Sequence, residues 1–295
     1  MIKHNGKEYK IVVTTPAGRQ RYLEILKKYV YADMESGLVD GWQLWQNTVL
    51  QSDIDYLASM EAENPKVKRF FIPDIVASYN NCDTMRSCEF FVNCWDDDTI
   101  YIRFDDDIVW YEKDAIRKLA IARIEHPHSL VIYPNIINST TVTSWHQKSG
   151  VLSTEAGTVK QEDVNDPNRA YLDEFCYTDS KLIDHIHNTF KNYHHLGNLV
   201  KYYLPSRVLS GYNRFSICAL AWWGKDHLDP TGHPEEPWMA YEEAERQLRP
   251  NYFLGDCLMV HYSYHTQRDY LESCKPEQLE FYRELADKLH QDEHL

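Results

Sequence analysis

Between residues 9 and 135 the chain alternates apolar, β-prone runs with stretches of helical period, and this alternation limits the fold more than any other feature. Tyr9 to Thr15 reads as a buried first strand, broken by Pro16-Ala17-Gly18. From Arg19 a helix is predicted, because Tyr22, Leu23, Leu26, Tyr29 and Val30 recur at helical spacing. Asp40 to Thr48 reads as a second strand, and Ser52 is placed to cap a short helix carrying Ile54, Leu57 and Ala58. Phe70 to Ile72 is a third strand, and a loop follows to residue 81. Next come a helix over Asp83 to Asn93, a strand over Thr99 to Phe104, a helix over Asp114 to Glu125 and a strand over Leu130 to Tyr133. Such alternation predicts an α/β fold with a mainly parallel central sheet covered by helices. Ligands of such sheets bind beyond the carboxyl ends of the strands.

Two features fall at predicted carboxyl ends. The first is Asp105-Asp106-Asp107, set between Tyr-Ile-Arg-Phe and Ile-Val-Trp. An ordinary acidic turn lies among Gly, Pro, Asn and Ser, as these flanks do not. Three adjacent carboxylates repel one another unless a cation joins them. Carboxylate oxygens suit Mg²⁺ or Mn²⁺, which is typically held by one or two carboxylates plus substrate phosphates. The nearby Asp96-Asp97-Asp98, after Trp95, reads as the ordinary acidic turn. The second feature is the Thr15-Pro16-Ala17-Gly18 turn before the first helix, where backbone N–H groups could meet a phosphate. It has one Gly, so it is neither a Walker nor a dinucleotide fingerprint.

Composition narrows the partners. A net charge of -14 repels nucleic acid and anionic membrane, so a phosphate-bearing ligand needs a local cation. Seven scattered Cys make neither a disulfide framework nor a zinc pair. No apolar run reaches the roughly 18 residues of a membrane span, and the expectation is a soluble, cytoplasmic protein of a reducing compartment without a transmembrane segment. The sequon Asn138-Ser139-Thr140 is read as coincidental on that ground.

The second half is less regular. Asn135 to Asn168 reads as a long polar loop or lid. Asp179 to Tyr193 is a helix; it and the residues just beyond carry His185, His187, His194 and His195, which lack the spacing of a metal-binding helix and read as packing or surface groups. Arg207 to Trp223 reads as strand and bend, emptying into Gly224-Lys225-Asp226. His233-Pro234-Glu235-Glu236-Pro237-Trp238 precedes a helix over Met239 to Leu248. Asp226, Glu235 and Glu236 are candidate general bases, although acids also complement a helix N-terminus. Asn251 to His261 is a strand, and Pro276 opens a last amphipathic helix.

The ordered set Thr14-Thr15-Pro16-Ala17-Gly18-Arg19, Trp45-Gln46-Asn47-Thr48, Asp105-Asp106-Asp107, Glu235-Glu236-Pro237-Trp238 and Val260-His261-Tyr262-Ser263 resembles a nucleotide-sugar glycosyltransferase of the GT-A type. It looks most like an uncharacterised bacterial and viral branch of that family. The resemblance implies a Rossmann-type α/β/α sandwich in a single domain over 1–295. Residues 1–135 would be the nucleotide-sugar half, and 136–295 the acceptor-binding and catalytic half. It implies Mn²⁺ or Mg²⁺, a nucleoside diphosphate sugar donor, UDP-sugar favoured, and a glycan or other hydroxyl acceptor. The transferred group would be a hexose or pentose. Asp105 and Asp107 would be the outer acids of the DxD motif and His261 a further metal ligand. Thr14, Thr15, Pro16, Ala17, Arg19, Asn47, Asp105 and Asp106 would line the nucleotide, with Arg86 and Arg268 near the phosphates. Asp226, Glu235 or Glu236 would deprotonate the acceptor if the enzyme inverts.

Two rivals predict different behaviour. A nucleotidyltransferase also uses carboxylates, Mg²⁺ and a sugar phosphate, but prefers a richer Gly and Arg/Lys phosphate loop than Pro16-Ala17-Gly18-Arg19. A carbohydrate-binding protein without catalysis would use the aromatic side chains as platforms and gain little stability from a nucleotide.

Overall fold

The computed structural model describes residues 1–72, 90–159, 180–209, 215–231, 233 and 235–289. Among them ten strands form one sheet: β1 (Ile2–His4), β2 (Lys7–Ala17), β3 (Gly41–Gln46), β4 (Val67–Phe71), β5 (Thr99–Phe104), β6 (Ile108–Tyr111), β7 (Ile132–Ile137), β8 (Arg207–Leu209), β9 (Ala219–Trp223) and β10 (Asn251–His261). The main order is β4-β3-β2-β5-β9-β7-β10-β6, with β1 on β2 and β8 on β10. Strands β4, β3, β2 and β5 run parallel, as do β7 and β10; β9 and β6 run against their neighbours. The α/β class and the mostly parallel sheet expected from the alternation are therefore present. The 135/136 division does not separate two halves: it falls inside β7, and β9 from late in the chain inserts between β5 and β7.

Alternate strand residues feed two cores, as the period of two requires. On one face Ile100, Ile102, Ala219 and Ala221 meet α1 (Gln20–Glu35), α2 (Gln51–Glu63), α3 (Ala115–Glu125), α5 (Ser180–His195) and α7 (Pro276–Lys288). On the other, Tyr101, Leu220 and Trp222 pack with Phe90, Phe91, Trp238, Met239 and residues of α4 (Thr140–Lys148). A further helix, α6 (His265–Cys274), joins β10 to α7.

Several expected elements change. Strand β2 continues through Pro16 to Ala17 because it is still paired with β3 there, Pro16↔Trp45 and Ala17↔Gln46. Proline lacks a donor but its carbonyl can still serve a neighbour. The polar stretch after Asn135 is not a loop throughout. Strand β7 runs to Ile137, and α4 follows with Val142 and Trp145 buried. Its few apolar residues sit on one helical face, which a count of polar residues hides. Of the helix expected over Asp83 to Asn93, residues 83–89 lie outside the described residues, and Phe91–Asn93 forms a 3₁₀ turn. His187 is buried and binds Tyr282 and the Tyr262 carbonyl, a packing role.

The three-residue link between β5 and β6 shapes the sheet. Four chain steps from Phe104 to Ile108 span at most about 14 Å, whereas four strand spacings in a flat sheet need about 19 Å. Three strands, β9, β7 and β10, lie between β5 and β6. The sheet must therefore curl at its carboxyl edge. It does so where β7 and β9 share a single residue pair, Ile132↔Ala221. The acidic triplet is that link.

Candidate functional site

The curl determines which residues meet. Strand β6 is antiparallel to β10 with His261 opposite Ile108, and the Tyr262 amide donates to the Asp107 carbonyl at 2.9 Å. Asp107 thus lies beside the end of β10. Strand β2 is parallel to β5, with Thr14 opposite Arg103, so Gly18 and Arg19 emerge beside the same triplet.

Each acid of the triplet has a different task. Asp106, 1% exposed, accepts from the Gly18 amide at 2.9 Å and from Arg19 Nε at 2.8 Å, and Arg19 Nη2 also binds it. It fastens the β2–α1 turn to the triplet. Asp107, 2% exposed, faces Arg19 Nη1 at 2.9 Å, Arg268 Nη2 at 3.3 Å and His261 Nε2 at 3.6 Å. Burial alone would push its carboxyl up. The charges of Arg19, His261 and Arg268 outweigh burial and hold it far below the ordinary carboxylate range. Asp105 turns toward Arg103, whose Nε and Nη2 lie 2.9 and 2.8 Å from Oδ1. Its carboxyl is pushed up by burial, against the pull of Arg103.

Arg103 was not among the residues singled out, yet it organises this corner. It is 2% exposed and pairs with both Asp105 and Glu235. Burial opposes its charge, but those two carboxylates raise its affinity for the proton above normal. An arginine inside the apolar run Tyr-Ile-Arg-Phe was the available signal, since a buried guanidinium requires anionic partners. Through it, Glu235 is brought to the triplet from the start of the helical segment over 235–246. That segment contains a π turn, Trp238–Glu242, in its middle. Glu236 is half-buried beside Glu235. It lies near the phenols of Tyr133 and Tyr264: burial is the main reason both hold their protons above the usual range, and the Glu236 charge adds to it.

The His261 ring is oriented from behind. Its Nδ1 lies 3.1 Å from the Asn138 carbonyl, which can only accept, so Nδ1–H donates and Nε2 faces Asp107. Asn138 holds a left-handed backbone (φ 65°) and is 2% exposed; its amide donates to the carbonyls of His261 and Tyr262 and to Gln267 Oε1. The side-chain nitrogen of the sequon's asparagine is thus buried among three acceptor oxygens.

Asp226 is overturned as a candidate base. Strand β9 is antiparallel to β5, with Trp223 opposite Ile100 and Ala219 opposite Phe104. The turn Gly224–Asp226 therefore lies at the amino end of β5, against Asp96, about 20 Å along the strand from the triplet. There Asp226 is paired with Arg123 at 3.2 Å and Arg249 at 2.9 Å. The acidic loop was visible in sequence; the reversal of β9 was not.

The β2–α1 turn also differs from expectation. Two amides at the start of α1 are already used: Gly18 N–H by Asp106 and Gln20 N–H by Asp53 at 3.1 Å. Anions do favour a helix N-terminus, but here the chain supplies them. Thr14 and Thr15 are fully buried, and the Thr15 hydroxyl accepts from Trp42 Nε1 at 2.9 Å, inside the sheet face. Pro16 and Ala17 are buried as well. Asn47 lies beside them, its backbone N–H donating to the Ala17 carbonyl at 2.8 Å. Arg86 lies outside the described residues.

The residues present fit a divalent cation. Asp107 Oδ1 is buried and has no hydrogen-bond partner, and His261 Nε2 faces it at 3.6 Å, too far for a hydrogen bond. Two ligands each about 2.0–2.2 Å from one ion can stand that far apart. Among the described residues no three His, Cys, Asp or Glu side chains surround a common point. Asp107 and His261 would thus be the two protein ligands, with phosphates and water completing the shell. Arg268 Nε and Ser263 Oγ are likewise buried and unpartnered.

Among the described residues no helix is long and apolar enough to cross a membrane. Compared with known proteins, the chain matches no family model and no curated protein.

Proposed function

We propose that this protein is a metal-dependent glycosyltransferase that moves a sugar from a nucleoside diphosphate sugar, UDP-sugars being the favoured class, to an acceptor hydroxyl. One observation carries the reading. Buried polar atoms without partners gather beyond the carboxyl ends of β5 and β10: Asp107 Oδ1, Arg268 Nε and Ser263 Oγ. An unmade buried hydrogen bond costs about 1–3 kcal/mol, so this cluster calls for a ligand offering both positive and negative groups. A cation on a diphosphate offers both. The motif likeness to the GT-A family points to the same chemistry.

Asp107 and His261 would hold Mn²⁺ or Mg²⁺. The bound ion would supply Lewis-acid stabilisation of the charge that grows on the leaving diphosphate. Arg19 and Arg268 face the same place and supply the local positive charge that an acidic protein needs to hold an anionic donor. Asp105, turned away by Arg103, is better placed for a hydroxyl of the donor than for direct ligation. Of the two remaining candidate bases, Glu236 is preferred. Glu235 is neutralised by Arg103, and a carboxylate stabilised by a guanidinium is a weaker base.

The rival nucleotidyl transfer needs free backbone amides for phosphates, and the two at Gly18 and Gln20 are engaged by Asp106 and Asp53. The deciding experiment is a screen of nucleoside diphosphate sugars with Mn²⁺, first by thermal stabilisation and then by product. Release of UDP or GDP is expected; if instead a parallel reaction of nucleoside triphosphate with sugar phosphate released pyrophosphate and formed the nucleoside diphosphate sugar, the proposal would be rejected in favour of nucleotidyl transfer. With the donor found, Glu236→Gln should slow an inverting turnover by about 10²–10⁴-fold with donor affinity unchanged. A larger loss in Glu235→Gln than in Glu236→Gln would exchange their roles.

A further inference from the structure

Arg19 and Arg268 both contact Asp107, but they are held very differently. Arg19 is anchored: Nε and Nη2 belong to Asp106, and Nη1 alone reaches Asp107. Arg268 has one long contact with Asp107, 3.3 Å, and another with the Ser263 carbonyl at 3.4 Å. Its Nε has no partner although the residue is 5% exposed. It comes from the second turn of α6, just after His261 at the end of β10. A guanidinium is thus loosely seated on the very carboxylate that would ligate a cation, with a donor to spare.

We infer that Arg268 is an exchangeable counter-ion. Without ligands it neutralises Asp107; when a divalent cation takes that carboxylate, Arg268 turns its fork to the diphosphate that arrives with the cation. The inference rests on the proposed function. Its physical basis is charge. A divalent ion within several ångströms of a guanidinium is repelled by it, so the ion alone must displace Arg268 at a cost. A diphosphate removes that cost, because a guanidinium fork fits phosphate as well as carboxylate. Arg19 cannot make the same move while Asp106 holds two of its nitrogens. Cation and diphosphate are therefore coupled ligands, each weak alone, and by linkage each strengthens the other by the same factor.

The test is calorimetric titration of Mn²⁺ alone, of UDP and GDP alone, and of each nucleotide with Mn²⁺, on wild type and Arg268→Gln. In the wild type, nucleotide should tighten Mn²⁺ binding by a factor within the roughly 5–150-fold range of typical coupling. In Arg268→Gln, Mn²⁺ alone should bind more tightly than to wild type, the Mn²⁺–nucleotide complex more weakly, and the coupling factor should fall about tenfold or more, one charge pair in a partly buried site being worth about that much. Nucleotide binding with an unchanged coupling factor in Arg268→Gln overturns the inference and leaves the functional reading standing. No nucleotide binding with Mn²⁺ in any of the proteins overturns both. Should Arg268→Gln fail to fold, the wild type decides by NMR. The Arg268 Nε–H signal, assigned by its loss in Arg268→Lys, should shift strongly only when Mg²⁺ and UDP are both present. A signal that stays in place with both ligands bound overturns the exchange.

Discussion

Two Asp-Asp-Asp triplets lie at opposite ends of the same six-residue strand, β5, and they have become different objects. Asp96-Asp97-Asp98, before the strand, is exposed throughout; Asp97 and Asp98 are 78% and 77% exposed at the side chain and meet His227 and Lys7 only at 3.6 Å. Asp105-Asp106-Asp107, after the strand, has its last two acids buried and is met by Arg103, Arg19 and Arg268. Identical composition at the two ends of one strand yields a solvated turn and a charged core. The difference lies in the neighbours. The carboxyl end faces the ends of β2 and β10, which deliver Arg19, His261 and Arg268. The amino end faces the outgoing turn of β9 and open water. Surface ion pairs are worth about 0–1 kcal/mol, so the contacts of Asp97 and Asp98 with His227 and Lys7 contribute little, although the Asp96 carboxylate accepts from the Tyr101 hydroxyl at 3.1 Å.

The comparison can be broken at several points. The largest effect is expected at the buried triplet. Asp107→Ala should abolish Mn²⁺-dependent nucleotide binding, by more than about 100-fold, because it removes a ligand and leaves Arg19 Nη1 and Arg268 without their shared anion. Retained affinity by calorimetry would move the site elsewhere. Next comes an acid at the amino end, Asp226, whose side chain is 6% exposed. Asp226→Asn removes the charge that Arg123 and Arg249 share, and Arg123 is wholly buried. Unfolding should become easier by about 3–5 kcal/mol, measured by denaturant midpoint, while nucleotide affinity stays at the wild-type value. A loss of binding without a loss of stability would restore Asp226 to the site. The smallest effect belongs to the exposed triplet. Asp97→Asn with Asp98→Asn should change stability by less than about 0.5 kcal/mol and leave Mn²⁺ binding untouched; a measurable loss of Mn²⁺ affinity would show that the outer triplet also takes the cation.

The contrast also shows how far sequence could be read. The apolar flanks of Asp105-Asp106-Asp107 correctly marked it as unlike Asp96-Asp97-Asp98, since Tyr-Ile-Arg-Phe and Ile-Val-Trp are strand sequences that carry the acids inward with them. The placement of the turn before Arg19 at the same edge followed from the alternation of strand and helix, whereas His261 was assigned to it by the resemblance alone. Asp226 was misplaced because its loop looks like Glu235-Glu236's: acidic and set before helical residues. Local pattern gives a strand's existence but not its direction, and β9 runs opposite to its neighbours. The start of α1 was misjudged for a related reason. Backbone amides there are a generic anion site, and only the fold shows that Asp106 and Asp53, 88 and 33 residues away, occupy two of them.

By itself, then, the sequence determined the α/β class, the strand that presents the triplet, and the contrast in flanking residues between the acids at its end and those at its start. These depend on period and flanking residues, which are local. Tertiary structure alone decided the tasks of the three acids, the clamp of Arg103 on Asp105 and Glu235, and the orientation of His261 by Asn138. It also placed Asp226 at the opposite end of β5 from Asp105-Asp106-Asp107. These depend on strand direction and on the curl forced by a three-residue link across three intervening strands, and no local pattern encodes either.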